Sequence, residues 1–279
     1  MRILIAYIFR FLFKFSFFKK RFFGIHVKLI NRFNLFRGIT RTVDYNGLQL
    51  TLHIDDWIQE NIFLLGTYEQ AELDVLQLFL QKDSVLLDLG ANFGLYSLNA
   101  AKLIGPEGKI VSFEPFSVNF NALSEHVKLN KLTNVHPEKL AVGEEDGDIT
   151  LYYNESEHNL GMVTATFTEN ATKEEVQVVS IDSYVKSESI ERIDFIKIDI
   201  EGFEYQALLG MKHLLETQHP TLLIEILDGD GARTSSIEVY RFLNELGYTK
   251  YFITNDGKLS SKEENSERKN YVFTTQVTA

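Results

Sequence analysis

The sequence has no cysteine. That excludes disulfides, thiolate metal sites and a cysteine nucleophile, and leaves the redox compartment open. Acidic residues are missing from the first 43 positions, which carry ten Lys and Arg, while the rest of the chain holds 18 basic and 39 acidic residues. So acidic a body offers no basic footprint for phosphates, and nucleic acid is not an expected partner. No apolar run reaches membrane-spanning length uninterrupted. Ile3 to Phe18 holds thirteen apolar residues in sixteen, broken by Arg10, Lys14 and Ser16. As a helix it would be about 24 Å long, against a hydrocarbon core of about 30 Å. A secretory signal is lacking too, because no small-residue cleavage site follows the short apolar core.

What the N-terminal arm does have is Lys19-Lys20-Arg21 followed by Phe22-Phe23. This pattern points to residues 1–23 lying on an anionic membrane surface, which would make a cytoplasmic protein peripheral on the inner face. Packing against a core or a second copy is the alternative. Phenylalanine at 9, 11, 13, 15 and 17 has a period of two, which reads as a strand.

Beyond the arm, Arg41 to Ile54 alternates around Asp44-Tyr45-Asn46-Gly47 and predicts a hairpin. Glu69 to Leu80 has helical spacing. Strands are then expected at Val85–Leu87, Lys109–Phe113, Val135–His136, Ile149–Tyr153, Phe195–Ile200 and Thr221–Leu227, with an edge element at Val176–Ser180. Helices are expected over Leu95–Leu103 and Val118–Leu129, from the end of the 195–200 strand through Leu215, and over Ser236–Leu246. Tyr248–Ile253 and Tyr271–Thr275 would close the chain as an antiparallel pair. Alternating strands and helices predict a doubly wound, Rossmann-like α/β sheet, mostly parallel with an antiparallel C-terminal strand. Residues 1–40 are read as the arm and 41–279 as one domain. Ligands of such sheets bind outside the carboxyl ends of the strands, where strand order reverses.

The first such end reads Leu87-Asp88-Leu89-Gly90-Ala91-Asn92-Phe93-Gly94. Its glycines permit a tight turn and close approach of a ligand to the backbone. The second strand runs into Glu114-Pro115, where a carboxylate can accept both hydroxyls of a ribose. A dinucleotide loop would carry glycine where Asn92 stands, and Asp88 would oppose a pyrophosphate. S-adenosylmethionine has no phosphate and carries two cationic groups, so it suits the loop better than NAD does.

These residues, together with Lys197-Ile198-Asp199-Ile200-Glu201-Gly202-Phe203-Glu204, resemble the FkbM-type methyltransferase family. The similarity runs from about Tyr68 to Ile226. It also includes Tyr68-Glu69, Leu140-Ala141-Val142-Gly143, Ser180-Ile181-Asp182 and Leu223-Ile224-Glu225. The resemblance implies methyl transfer from S-adenosylmethionine to an oxygen of a sugar, glycan or polyketide-like acceptor. Asp88, Gly90, Ala91, Asn92 and Gly94 would hold the methionine end, Glu114 with Pro115 the ribose side, and Ala141 and Val142 the adenine. Glu69 would close over the methionine moiety. His158 and Asn159 lie where the family places acceptor contacts, and Glu225 ends a neighbouring strand.

A sugar hydroxyl is a poor nucleophile at neutral pH and gains from a positioned base. Asp199 and Glu201, at the end of a buried strand, are the candidates; capping of the next helix by Glu201 is the bland alternative. Asp199 and Glu225 could also hold a magnesium ion, but His126, His136, His213 and His219 are scattered without ligand spacing, and no metal is assigned. The competing function is a membrane-surface glycan-binding protein on a degenerate methyltransferase fold.

Overall fold

Alternating apolar residues at Leu48, Leu50 and Leu52 are buried, while the residues between them are not. This one-sided pattern sets the register of the hairpin β1 (Thr40–Tyr45) and β2 (Leu48–His53). Asn46 and Gly47, at φ 52° and 77°, form a turn that needs two left-handed residues. A computed structural model describes residues 2–153, 172–226, 236–265 and 269–276. It divides near residue 70 into two compact units.

In the first unit the hairpin follows α1 (Arg2–Leu12), α2 (Ser16–Lys19), α3 (Phe22–Ile25) and a π-helical stretch, His26–Asn31, and precedes α4 (Trp57–Leu65). The arm is therefore helical, not a strand as its period of two predicted. The phenylalanines are interleaved i,i+4 pairs. Phe9 and Phe13 meet at 6.0 Å between ring centroids, and Phe11 and Phe15 at 5.5 Å. Two such pairs offset by two residues mimic strand alternation. Phe13 and Phe36 join Leu50, Leu52, Ile62 and Phe63 among the buried apolar residues of this unit. Asp56 caps α4 by accepting the Gln59 N–H at 3.0 Å. Among the described residues no helix is long and apolar enough to cross a membrane.

The second unit opens with α5 (Gln70–Phe79), β3 (Val85–Leu89), α6 (Leu95–Ile104), β4 (Lys109–Phe113), α7 (Ser117–Leu129) and β5 (Val135–Glu138). After β6 (Ala141–Val142), β7 (Gly147–Tyr153) and β8 (Thr172–Val179) come α8 (Ile181–Ser187), β9 (Phe195–Ile198), α9 (Glu204–Leu209) and α10 (Lys212–Gln218). The unit ends with β10 (Thr221–Glu225), α11 (Ser236–Glu245), β11 (Thr249–Ile253), β12 (Leu259–Ser260) and β13 (Asn270–Thr274). Eight strands form one sheet in the order β12-β11-β13-β10-β9-β3-β4-β5. From β10 to β5 the neighbours are parallel, and β13 enters antiparallel between β10 and β11. This is a doubly wound α/β sheet, mostly parallel, with the order reversing between β3 and β9. A smaller sheet, β6-β8-β7, stands apart.

The single helix expected through Leu215 is two. At Gly210 a side chain would bring its Cβ within 2.0 Å of the Gly143 carbonyl oxygen, so two backbones cross where the helix breaks. α4 and α8 were not foreseen; α8 starts at Ser180, whose hydroxyl accepts the Ser183 N–H.

Candidate active site

The reversal point is built on three strands in register. Asp88 of β3 lies beside Ser112 of β4 on one side and Lys197 of β9 on the other. All three are at most 4% exposed, so their polar atoms must find partners inside the protein. Ser97 of α6 donates to Asp88 Oδ2 at 2.5 Å, and its oxygen lies 2.7 Å from that of Ser112. Lys197 Nζ donates to the Gly90 carbonyl and to Asp199 Oδ2, each at 3.1 Å. It also lies 3.9 Å from Asp88 Oδ1 and 4.9 Å from the centre of the Tyr96 ring. Burial pushes the Asp88 carboxyl up, against the pull of Lys197 and the Ser97 hydroxyl. Asp88 Oδ1 has no hydrogen-bond partner among the described residues.

The loop after β3 is shaped by the protein's own contacts. The N–H groups of Gly90 and Ala91 both donate to the Phe113 carbonyl at 3.0 Å. A Cβ on Gly90 would lie 1.8 Å from the Asp199 carbonyl oxygen, and one on Gly94 would lie 2.6 Å from Leu98 and Leu123 methyls. Both glycines also have positive φ, 79° and 96°. At Gly90 the neighbouring backbone leaves no room for a side chain, while at Gly94 it is the left-handed backbone that favours glycine, whatever a ligand requires. His126, 1% exposed, donates Nδ1–H to the Phe93 carbonyl at 2.8 Å and steadies the same loop.

Glu114 ties this loop to the one after β4. Its Oε2 accepts the Asn92 N–H at 2.8 Å and its Oε1 the Phe116 N–H at 3.0 Å. Burial nevertheless pushes the carboxyl up to about 7. An ionised carboxylate has about four acceptor sites, so each oxygen keeps one for a further donor. Pro115, between these anchors, is half-buried.

After β9 the chain turns through Glu201 and Gly202, at φ 52° and 93°. Left-handed backbone at a non-glycine residue costs on the order of 1–3 kcal/mol, and Glu204 holds the turn in place. Its Oε1 accepts the Gly202 N–H at 2.9 Å and the Ile200 N–H at 3.4 Å. The helix-bracing role weighed for Glu201 thus falls to Glu204. Glu201 is exposed and forms no hydrogen bond among the described residues. Protein packed around its carboxyl, with the charges of Asp199 and Glu204, pushes it up to about 7.

Asp88, Gly90, Ala91, Asn92, Gly94, Glu114, Pro115, Asp199 and Glu201 therefore converge at the carboxyl ends of β3, β4 and β9. Glu225 ends β10, one strand beyond Asp199. Ala141 and Val142 follow β5 as β6 of the smaller sheet. Glu69 belongs to the first unit, where it has φ 49°. His158 and Asn159 lie outside the described residues. Lys197 and Glu204, the ends of the family-like run 197–204, and Ser97 and Ser112 outside it hold roles that the sequence does not assign. Only Lys197 left a local signal, a cation inside the apolar run Phe195–Ile198.

Residues 88–250 match the methyltransferase FkbM domain. Over 198 residues the chain is 23% identical to Methyltransferase 1 of Beauveria bassiana, covering 63% of this chain and 75% of that protein. Over 166 residues it is 26% identical to hexuronic acid methyltransferase AglP of Haloferax volcanii, covering 57% and 64%. Among solved structures, methyltransferase FkbM from Methylobacillus flagellatus KT aligns at 16% identity with a TM-score of 0.48, over 90% of this chain and 60% of that one.

Proposed function

The chain belongs to the FkbM methyltransferase family, and we propose that it moves the methyl group of S-adenosylmethionine to a hydroxyl oxygen of a sugar in a glycan or glycolipid precursor. The observation that carries this reading is the convergence of Asp88, Glu114, Asp199 and Glu201 where the strand order reverses. That acid-rich end suits a ligand bearing two cationic groups and no phosphate. The residues fit the cofactor on two further counts. Asp88 Oδ1 is a buried acceptor without a hydrogen-bond partner among the described residues, and Glu114 keeps one acceptor site on each oxygen, as a ribose diol requires. When bound, S-adenosylmethionine supplies a methyl group already activated by a positive sulfur.

The protein's own task is to hold and deprotonate the acceptor. Lys197 fixes the Asp199 carboxylate, which then orients the acceptor hydroxyl. Glu201, unbonded and pushed up to about 7, takes the proton, since a base is most effective when it titrates near the working pH. A sugar acceptor is supported by the hexuronic acid named for the Haloferax relative.

The test is incubation with S-adenosylmethionine and hexuronic-acid oligosaccharides, read by mass spectrometry. A saccharide heavier by one methylene is expected, at a rate that climbs as pH passes about 7. Glu201→Gln is expected to slow turnover by roughly 10²–10⁴-fold with cofactor affinity unchanged. Binding of cofactor and saccharide with no product would instead make the protein a glycan-binding member of the fold.

A further inference from the structure

Helix α1 is apolar on two opposite faces. At about 100° per residue, Ala6, Phe9 and Phe13 share one side, while Leu4, Ile8 and Phe11 share the other. The first face is covered within its own unit: Ala6 and Phe13 are buried, and Phe9 meets Phe36 edge-on at 6.0 Å. The second face is open, with Leu4 66% and Phe11 59% exposed. The exposure continues past the helix through Phe15, Phe17, Phe23 and Phe33. Eleven of the fifteen large apolar side chains exposed among the described residues lie between Ile3 and Phe33. A patch so concentrated on a water-soluble surface marks something it is meant to meet.

Its charge identifies the occupant. Lys14, Lys19, Lys20, Arg21, Lys28 and Arg32 are all exposed along the same stretch, and no acid occurs before Asp44. A second copy docking through this face would press two wholly cationic surfaces together with no carboxylate to relieve them. Anionic phospholipid headgroups supply the missing charge, and the acyl boundary accepts the aromatic side chains. We infer that the open face of residues 2–33 is a docking surface for an anionic phospholipid bilayer, with Leu4, Ile8 and Phe11 entering the acyl boundary and the lysines and arginines meeting the headgroups. The absence of a spanning helix among the described residues makes this attachment one that lies on the membrane.

The full-length protein is mixed with vesicles of phosphatidylcholine alone or of phosphatidylcholine with phosphatidylglycerol, then sedimented. Binding is expected only to the mixed vesicles, and it is expected to fall as salt is raised. Lys19→Gln/Lys20→Gln/Arg21→Gln is expected to weaken binding on the order of a hundredfold. Leu4→Ser/Ile8→Ser/Phe11→Ser is expected to weaken it more than tenfold. Because these side chains are exposed, the unfolding midpoint of either variant is expected to match the parent. Failure to bind mixed vesicles, binding indifferent to salt, or full binding by the serine variant overturns the inference. So does a dimer, seen by sedimentation velocity, that the serine variant dissociates.

Discussion

Glu114 accepts two backbone N–H groups yet is pushed up to about 7 by burial, so its charge depends on pH across the neutral range. A ribose diol donating to it favours the ionised form. Below about 7 the carboxyl carries a proton that such donors must displace. Affinity for S-adenosylmethionine is therefore expected to tighten about tenfold between pH 6 and pH 8. Calorimetry at several pH values checks this, and Glu114→Gln should bind more weakly with no step; a flat parent curve would place the ribose elsewhere. Asp88, Gly90, Glu114 and Asp199 were legible in the sequence because strand ends followed by glycine or acid are local features. Ser97 and Ser112 were not, since nothing local separates a serine that satisfies a buried carboxylate from one that faces water. Lys197 was visible as an oddity, but its partners Gly90 and Asp88 are more than a hundred residues away.

At the scale of elements, the clearest coupling joins α8 to α10. Asp182 accepts the His213 N–H and the Leu214 N–H, each at 2.9 Å. These are first-turn donors of α10 that the helix itself cannot satisfy. Ser180-Ile181-Asp182, one of the family-like landmarks, thus serves helix docking through Ser180 as cap and Asp182 as tether. Asp182→Ala is expected to cost about 1.5–3 kcal/mol in urea unfolding, the range for hydrogen bonds to a charged group, while cofactor affinity stays unchanged. A loss of affinity with no loss of stability would reassign the residue to the site. The arm shows the opposite relation between pattern and element. Its phenylalanines predicted a strand because two i,i+4 series offset by two residues alternate just as a strand does, and tertiary packing of Phe9 and Phe13 selected the helix.

For the whole molecule, the acids pushed upward outweigh those held down. Glu60, Asp88, Glu114 and Glu204, all buried, titrate above the ordinary range, chiefly through that burial. Such groups bind protons more readily folded than unfolded, so their favourable contribution is complete below the ordinary carboxylate range and is lost as pH rises through their raised values, about 7 for Glu114. The net charge of −11 adds repulsion in the same direction. The unfolding midpoint is therefore expected to be higher at pH 6 than at pH 8, as differential scanning calorimetry can show; the reverse order would mean that these carboxylates are stabilised as charges. Local pattern sufficed for the hairpin, for most strands of the large sheet with its antiparallel close, for α5, α6, α7 and α11 and for the acids at the strand ends, because periodicity and turn chemistry act over a few residues. Pairing across the chain settled the rest. That Gly90 is required by the Asp199 carbonyl, that Lys197 joins two loops, and that the helix breaks at Gly210 against Gly143 all depend on distant segments meeting at backbone distance. No short window of sequence contains such a meeting, since it exists only once the sheet has brought its strands side by side.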